Sequence, residues 1–205
     1  MERWFLSKRY RLESDKRLIM RIISGFLKGK SIKYLKNLKT RPLKDVVKEN
    51  LFNIIQHSNQ LNININDAKI LDLYSGVGSF GIECISRGAK KVVFIEADKR
   101  AANILKENLI QHSILDKTRI INNKIEDTLV NLKNEKFSIF FLDPPYADNK
   151  YVENLNLIKK YKIVEQNHLV IIHRETKSSE SIDKLLNIVF VKKYGRAKLI
   201  FALFT

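Results

Sequence analysis

Between Lys69 and Ile172, short apolar runs alternate with amphipathic stretches, and this alternation constrains the fold more than any other feature of the chain. Ile70-Leu-Asp-Leu-Tyr74 reads as a strand with a helix after it over residues 79–87. Val92-Val-Phe-Ile-Glu96 reads as a second strand with a helix over 99–112. Arg119-Ile-Ile121, Phe137-Ser-Ile-Phe-Phe-Leu142 and His168-Leu-Val-Ile-Ile172 supply three more. Strands that are apolar at successive positions and separated by helices fit a parallel sheet buried on both faces and built from βαβ units. The pattern then changes. Ile188-Val-Phe-Val191 and Leu199-Ile-Phe-Ala-Leu203 are divided only by the turn-like Lys193-Tyr-Gly-Arg-Ala197. So short a connection pairs two strands antiparallel. The expectation is an α/β fold: a doubly wound, mostly parallel, seven-stranded sheet ending in an antiparallel hairpin.

The segment before this pattern is basic. From Arg21 to Asn53, nine Lys or Arg stand against Asp45 and Glu49, a net +7 in 33 residues. Gly25 and Gly29 punctuate it as in a small hairpin, and residues 45–56 read as a helix with a stripe of Val46, Val47, Leu51, Phe52 and Ile55. Residues 1–19 carry no readable pattern and are expected to form a basic tail. Residues 20–58 form a basic extension and 59–205 the main domain, with polar 59–67 as a soft linker. The whole chain has 38 Lys and Arg against 22 Asp and Glu, a net charge of +16 and a pI near 9.8. That imbalance favours a polyanionic partner, nucleic acid above all. No apolar run approaches the ~20 residues of a membrane span, and Met1-Glu-Arg-Trp-Phe-Leu is too charged for a secretory leader. The one cysteine, Cys84, has the spacing of a core residue and fits a reducing cytoplasm. His57, His112, His168 and His173 show no ligand spacing, so no metal is expected.

The first strand runs into Ser75-Gly-Val-Gly-Ser-Phe-Gly81 and then a helix. Glycines there permit a tight turn and bring the backbone close to a ligand at the helix N-terminus. Glu96 follows 20 residues after Gly76 at the end of the second strand, where a carboxylate accepts from ribose hydroxyls. Asp72 lies in the strand before the loop. A carboxylate gains nothing beside a pyrophosphate but suits the ammonium of S-adenosylmethionine. The stretch Asp72-Leu-Tyr74-Ser75-Gly76-Val-Gly78 resembles motif I of the class I methyltransferases, which are Rossmann-like. The cofactor expected is S-adenosylmethionine, with Asp72, Tyr74, Ser75, Gly76, Gly78, Glu96, Ala97 and Asn123 as its contacts. A nicotinamide oxidoreductase would use the same glycines, but no hydride-transfer acid follows the fourth strand.

That fourth strand ends in Asp143-Pro144-Pro145-Tyr146. Ligands of open α/β sheets bind beyond the carboxyl ends of strands, so this loop faces the cofactor. Two prolines fix φ and contribute carbonyl acceptors without N–H donors. Asp143 and the Pro144 carbonyl can together hold the two N–H bonds of an exocyclic amine, aiming its lone pair at a methyl group. Tyr146 offers a face on which a flipped base stacks.

Asp143-Pro-Pro-Tyr146 is similar to the signature of methyltransferases acting on amino groups of adenine or guanine. Met20-Arg-Ile-Ile-Ser-Gly25, Lys28-Gly-Lys30, Arg41-Pro42, Glu49-Asn-Leu-Phe-Asn53 and Tyr194-Gly195 extend the likeness. With motif I and Glu96, the stretch from Met20 resembles the bacterial small-subunit ribosomal RNA guanine-N2 methyltransferase family. The family pattern begins at Met20, which makes that residue a candidate start. Leu43 replaces the family's usual Thr, Lys48 its Arg, and Lys124 aligns with its adenine-side acid or amide, for which Asn123, Glu126 or Asp127 could substitute. The resemblance implies methylation of guanine N2 in ribosomal RNA, free or in a small-subunit assembly intermediate; a cytoplasmic monomer is the separate expectation. Lys28, Lys30, Lys33, Arg41 and Lys48 are the expected RNA contacts. The alternative is an adenine-N6 methyltransferase acting on DNA or RNA.

Overall fold

The computed structural model describes residues 17–35, 45–145, 147–179 and 181–205, with the backbone alone at 17–19 and 35. An antiparallel hairpin comes first, β1 (Arg17–Arg21) and β2 (Ser31–Leu35), and α1 (Asp45–His57) follows. Then come β3 (Lys69–Leu73), α2 (Ser79–Ser86), β4 (Lys91–Ile95), α3 (Lys99–Gln111), β5 (Thr118–Ile121), α4 (Ile125–Thr128), β6 (Phe137–Leu142), α5 (Tyr151–Lys160) and β7 (Val164–Glu175). β8 (Leu186–Tyr194) and β9 (Ala197–Phe204) end the order. The seven strands lie as β5-β4-β3-β6-β7-β9-β8, parallel from β5 to β7, with β9 antiparallel to both of its neighbours. The α/β sheet and its closing hairpin are thus as the sequence pattern implies. β1 begins at Arg17, inside the expected tail, because residues 17–19 pair with Lys33, Tyr34 and Leu35.

Alternation along each strand sorts the core into two layers. Ile70, Phe94, Ile139, Phe141, Ile171 and Phe201 face the hairpin, α1, α2 and α3. Leu71, Leu73, Val93, Phe140, Ile172 and Ile200 face α4 and α5. On the first face the rings of Phe52, Phe80 and Phe141 stack in sequence, with centroids 5.4 and 4.0 Å apart. α2 can lie this close to the sheet because Gly81 has no side chain; a Cβ there would fall 2.3 Å from the Phe94 ring. Residues 59–67 are not the soft linker that their polarity suggests, since Leu61 and Ile65 are buried in the same layer.

The basic hairpin is docked rather than appended. Ile23 N and Ser24 N donate to the carboxylate of Glu83 at 2.7 and 2.9 Å. Phe26 N donates to Ser86 O at 2.9 Å, and Leu27 N to Ser86 Oγ at 3.0 Å. On β2, Lys33 N donates to Asn108 Oδ1 at 2.9 Å and Lys33 O accepts from Asn108 Nδ2 at 3.0 Å. Gly25 and Gly29 both have φ +81°, yet a Cβ on Gly25 would lie 1.7 Å from Ser86 O, and one on Gly29 meets nothing within 4 Å. Gly29→Ala should therefore cost about 1–2 kcal/mol, the penalty of left-handed backbone alone, and Gly25→Ala distinctly more. Denaturant midpoints of the two variants test this; equal losses would refute the docking contact.

Candidate active site

The register aligns Ile121, Ile95, Leu73, Leu142 and Ile172 across five parallel strands. The residues just beyond them, Asn122, Glu96, Tyr74, Asp143 and His173, therefore line one edge of the sheet. The strand order reverses between β3 and β6, which opens the crevice where ligands of such sheets bind.

The glycine loop is held by its own neighbours. Ser75 N donates to Ile95 O at 3.1 Å, and Gly78 N to Ser75 O at 2.8 Å. Glu96 receives Gly76 N at 2.7 Å on one oxygen and Asp98 N at 2.8 Å on the other. Asp72 occupies a position that alternation would give to an apolar side chain facing α2, and it is 1% exposed. Its Oδ2 accepts from Gly81 N at 3.1 Å. Burial pushes the Asp72 carboxyl well up, the Gly81 bond opposes this, and the negative charges of Asp143 and Glu96 add to the rise. Burial also raises Glu96, against its hydrogen bonds from Asp98 and Gly76. Carboxylates in this condition accept a cation and repel a pyrophosphate. Together with the glycine cradle, they fit a ligand carrying an ammonium and a sulfonium, which S-adenosylmethionine does.

The other expected cofactor contacts are placed around this loop. Tyr74, at φ 59°, turns its phenol toward α5, where the OH accepts from Asn154 Nδ2 at 2.9 Å. Ala97 is exposed and Asn123 lies at the surface with Oδ1 accepting from Lys124 N at 2.8 Å. Asn122 was not anticipated. Its Nδ2 donates to Glu96 O at 2.7 Å and Ala97 O at 3.3 Å, bracing the turn that carries Glu96.

The loop after β6 is held from both faces of the sheet. His173 Nδ1 lies 2.7 Å from Asp143 Oδ1. The next residue, Arg174, points to the opposite face, is 1% exposed, and donates from Nη1 to Pro145 O at 3.1 Å. Its guanidinium lies over the Tyr151 ring at 4.8 Å, and Asp148 N donates to the same Pro145 carbonyl at 2.8 Å. Pro144 is buried and Pro145 exposed. Tyr146 lies outside the described residues. Neither His173 nor Arg174 was singled out from sequence; a His-Arg pair closing an otherwise apolar strand run was the available signal.

Of the expected RNA contacts, Lys48 requires correction. It is 0% exposed, and its Nζ donates to Arg21 O at 2.9 Å and to Ser79 Oγ at 3.4 Å. Burial lowers its pKa, against the attraction of Glu83 and Asp45. With its Nζ taken up by acceptors of β1 and α2, Lys48 ties these elements together and is not an RNA contact. Lys28 and Lys30 are exposed in the turn beside Ser86, at the far end of α2 from the glycine loop, and Lys33 Nζ lies 3.9 Å from Glu107. Arg41 lies outside the described residues. Among the described residues no cluster of His, Cys, Asp or Glu could hold a metal, and no helix is long and apolar enough to cross a membrane.

Fold and site together define a class I S-adenosylmethionine-dependent methyltransferase. Residues 20–203 match the family model described as Conserved hypothetical protein 95, and the chain belongs to that family. It is 35% identical over 158 residues to Ribosomal RNA small subunit methyltransferase D of Haemophilus influenzae, covering 76% of this chain and 79% of the relative. The Escherichia coli yhhF structure superposes with a TM-score of 0.76 at 26% identity, covering 90% of this chain and 97% of the other. A structure of SMU.776 with bound SAH shares the fold, with a TM-score of 0.68 at 11% identity over 93% of this chain and 57% of that one.

A carboxyl raised by the fold supports folding while protonated and loses that contribution as pH rises through its folded pKa. Asp72→Asn keeps an acceptor for Gly81 N without the buried charge. It should raise the melting temperature of the ligand-free protein at neutral pH, and the gain should shrink as pH falls toward the ordinary carboxylate range of about 4. Cofactor affinity should fall in the same variant. A gain that does not depend on pH would show that Asp72 is not a buried ionised group.

Proposed function

We propose that the protein transfers a methyl group from S-adenosylmethionine to the exocyclic N2 of a guanine in small-subunit ribosomal RNA. The observation that carries this reading is the Asp143 loop, with one carboxylate oxygen engaged by His173 and the Pro145 carbonyl engaged by Arg174 and Asp148. The substrate class is supported by the relative named for small-subunit ribosomal RNA and by the net charge of +16.

The N2 lone pair of guanine is delocalised into the ring, so the amine must be held before it can attack. With His173 on Oδ1, the Oδ2 of Asp143 accepts one N–H; with Pro145's carbonyl taken, Pro144's accepts the other. This pairing turns the lone pair toward the methyl group and offsets the charge that develops on nitrogen. When bound, S-adenosylmethionine would supply an electrophilic methyl on its sulfonium and would leave as the neutral thioether. As the N–C bond forms, the surplus amine proton leaves by way of Asp143, whose side chain is 24% exposed. Tyr146 would stack on the flipped base. Glu96 would hold the ribose hydroxyls on lone pairs that Gly76 and Asp98 do not use, and Asp72 the ammonium. The backbone of Tyr74, Ser75, Gly76, Gly78 and Ala97 would line the rest, with Asn123 near the adenine. Lys28, Lys30, Lys33 and Arg41 would meet RNA phosphates.

Mass-spectrometric mapping of nucleosides in small-subunit rRNA from cells with and without the protein tests the reaction. Loss of one N2-methylguanosine is expected; loss of an N6-methyladenosine instead would transfer the reading to adenine, and no change would refute it. Asp143→Ala should reduce turnover roughly 10²–10⁴-fold with cofactor affinity unchanged. His173→Ala should lower kcat by a smaller factor. His173→Asn should recover most of it, because the Asn amide donates from near the Nδ1 position. If the two His173 variants behave alike, the histidine contributes only bulk.

A further inference from the structure

Resting on the RNA substrate just proposed, we propose that the tip of the β8–β9 hairpin, with Lys192, Lys193 and Arg196, is a docking surface for the phosphates that flank the target nucleotide. The register fixes where this tip lies. β9 pairs antiparallel to β7 with His173 opposite Leu199, Arg174 opposite Lys198 and Glu175 opposite Ala197. β8 continues the row, with Lys192 opposite Leu199, Lys193 opposite Lys198 and Tyr194 opposite Ala197. The turn between them therefore rises at the same edge of the sheet as Asp143, which His173 touches.

Three spacings of about 4.8 Å separate β6 from β8. That is some 14 Å, or about four stacked nucleotides at roughly 3.4 Å each along a strand. RNA whose base enters the crevice at Asp143 and whose strand runs toward β8 passes over the tip within that length. The tip is also held rather than loose. Thr176 N donates to Arg196 O at 2.8 Å and Thr176 Oγ1 to Gly195 O at 3.0 Å, fastening it to the end of the strand that carries His173 and Arg174. Lys192, Lys193 and Arg196 are all exposed, and Tyr194 is half-buried between them.

Lysines on an edge strand commonly serve only to block pairing with another sheet. Arg196, however, lies in the turn beyond the last pair, Tyr194 with Ala197, where there is no ladder to protect. From Leu186 to Thr205 there are four Lys or Arg and no Asp or Glu, which suits a polyanion specifically. The lysines of the N-terminal turn are placed differently. Lys28 and Lys30 sit beside Ser86 near the opposite edge of the sheet, where Phe26 lies under Lys117 just before β5 starts. RNA reaches them only after leaving the catalytic edge.

Each phosphate contact that is lost flattens the slope of log affinity against log salt by ~1. Lys192→Gln, Lys193→Gln and Arg196→Gln combined in the full chain should reduce that slope by about 2–3 for an in vitro transcript of small-subunit rRNA. KM for the RNA should rise at least about tenfold while kcat at saturating RNA and cofactor affinity stay near wild type. The same substitutions at Lys28, Lys30 and Lys33 should change the slope less. An unchanged slope in the hairpin variant, or a larger effect from the N-terminal one, overturns the proposal. Wild-type protein that binds this RNA with a normal salt slope but methylates no guanine would instead overturn the reaction assigned above and leave the docking surface standing.

Discussion

The hydrogen bond from Gly81 N to Asp72 Oδ2 lies inside the interface between α2 and β3, where no water can replace it. It takes up one of the amides that a helix leaves unpaired in its first turn, and it does so with a group that burial makes reluctant to ionise. It ties the start of α2 to β3, alongside the close seat of Gly81 on Phe94 and the Gly76 bond that joins the glycine loop to Glu96. A buried carboxylate is a poor choice for stability, since an apolar residue would pack there without a desolvation penalty. Its presence makes sense where a cationic ligand completes the site and the apo protein bears the strain.

The basic N-terminal hairpin belongs to the same structure. Glu83 on α2 receives two of its amides and the Arg87 guanidinium at 2.9 Å, so a buried acid is neutralised by main chain and side chain together. Lys48 links the last residue of β1 to Ser79 at the beginning of α2. Hairpin, α1 and glycine loop are therefore one packed unit, and changes in the hairpin are expected to reach the crevice between β3 and β6 through α2.

The sheet was legible because parallel strands covered on both faces must be apolar at successive positions, as Phe137-Ser-Ile-Phe-Phe-Leu142 is. Asp72, Glu96 and Asp143 were legible for the complementary reason: each is an acid at the end of, or inside, such a run. What escaped were partners brought in from far along the chain. Nothing local to His173 says that it meets Asp143, thirty residues away, and Asn122 and Asn154 act on main chain or phenol in the same long-range fashion. Lys48 was misjudged by its charge, although its spacing to Leu51, Phe52 and Ile55 puts it on the apolar stripe of α1. The polarity of residues 59–67 hid two anchoring side chains, Leu61 and Ile65.

β7 serves as a ruler for the loop that carries Asp143. Successive residues on a strand face opposite ways, so His173 and Arg174 grip that loop from opposite sides only while their count from Leu169 is preserved. Insertion or deletion of a single residue between Val170 and Ile172 would exchange their faces, sending the guanidinium toward the layer of α2 and the imidazole under α5. Side chains along this strand can change in size and still leave the loop aligned. The count from Leu169 to Arg174 cannot change, whereas before Leu169 the register with β6 already shifts, so extra residues on that side leave the grip intact.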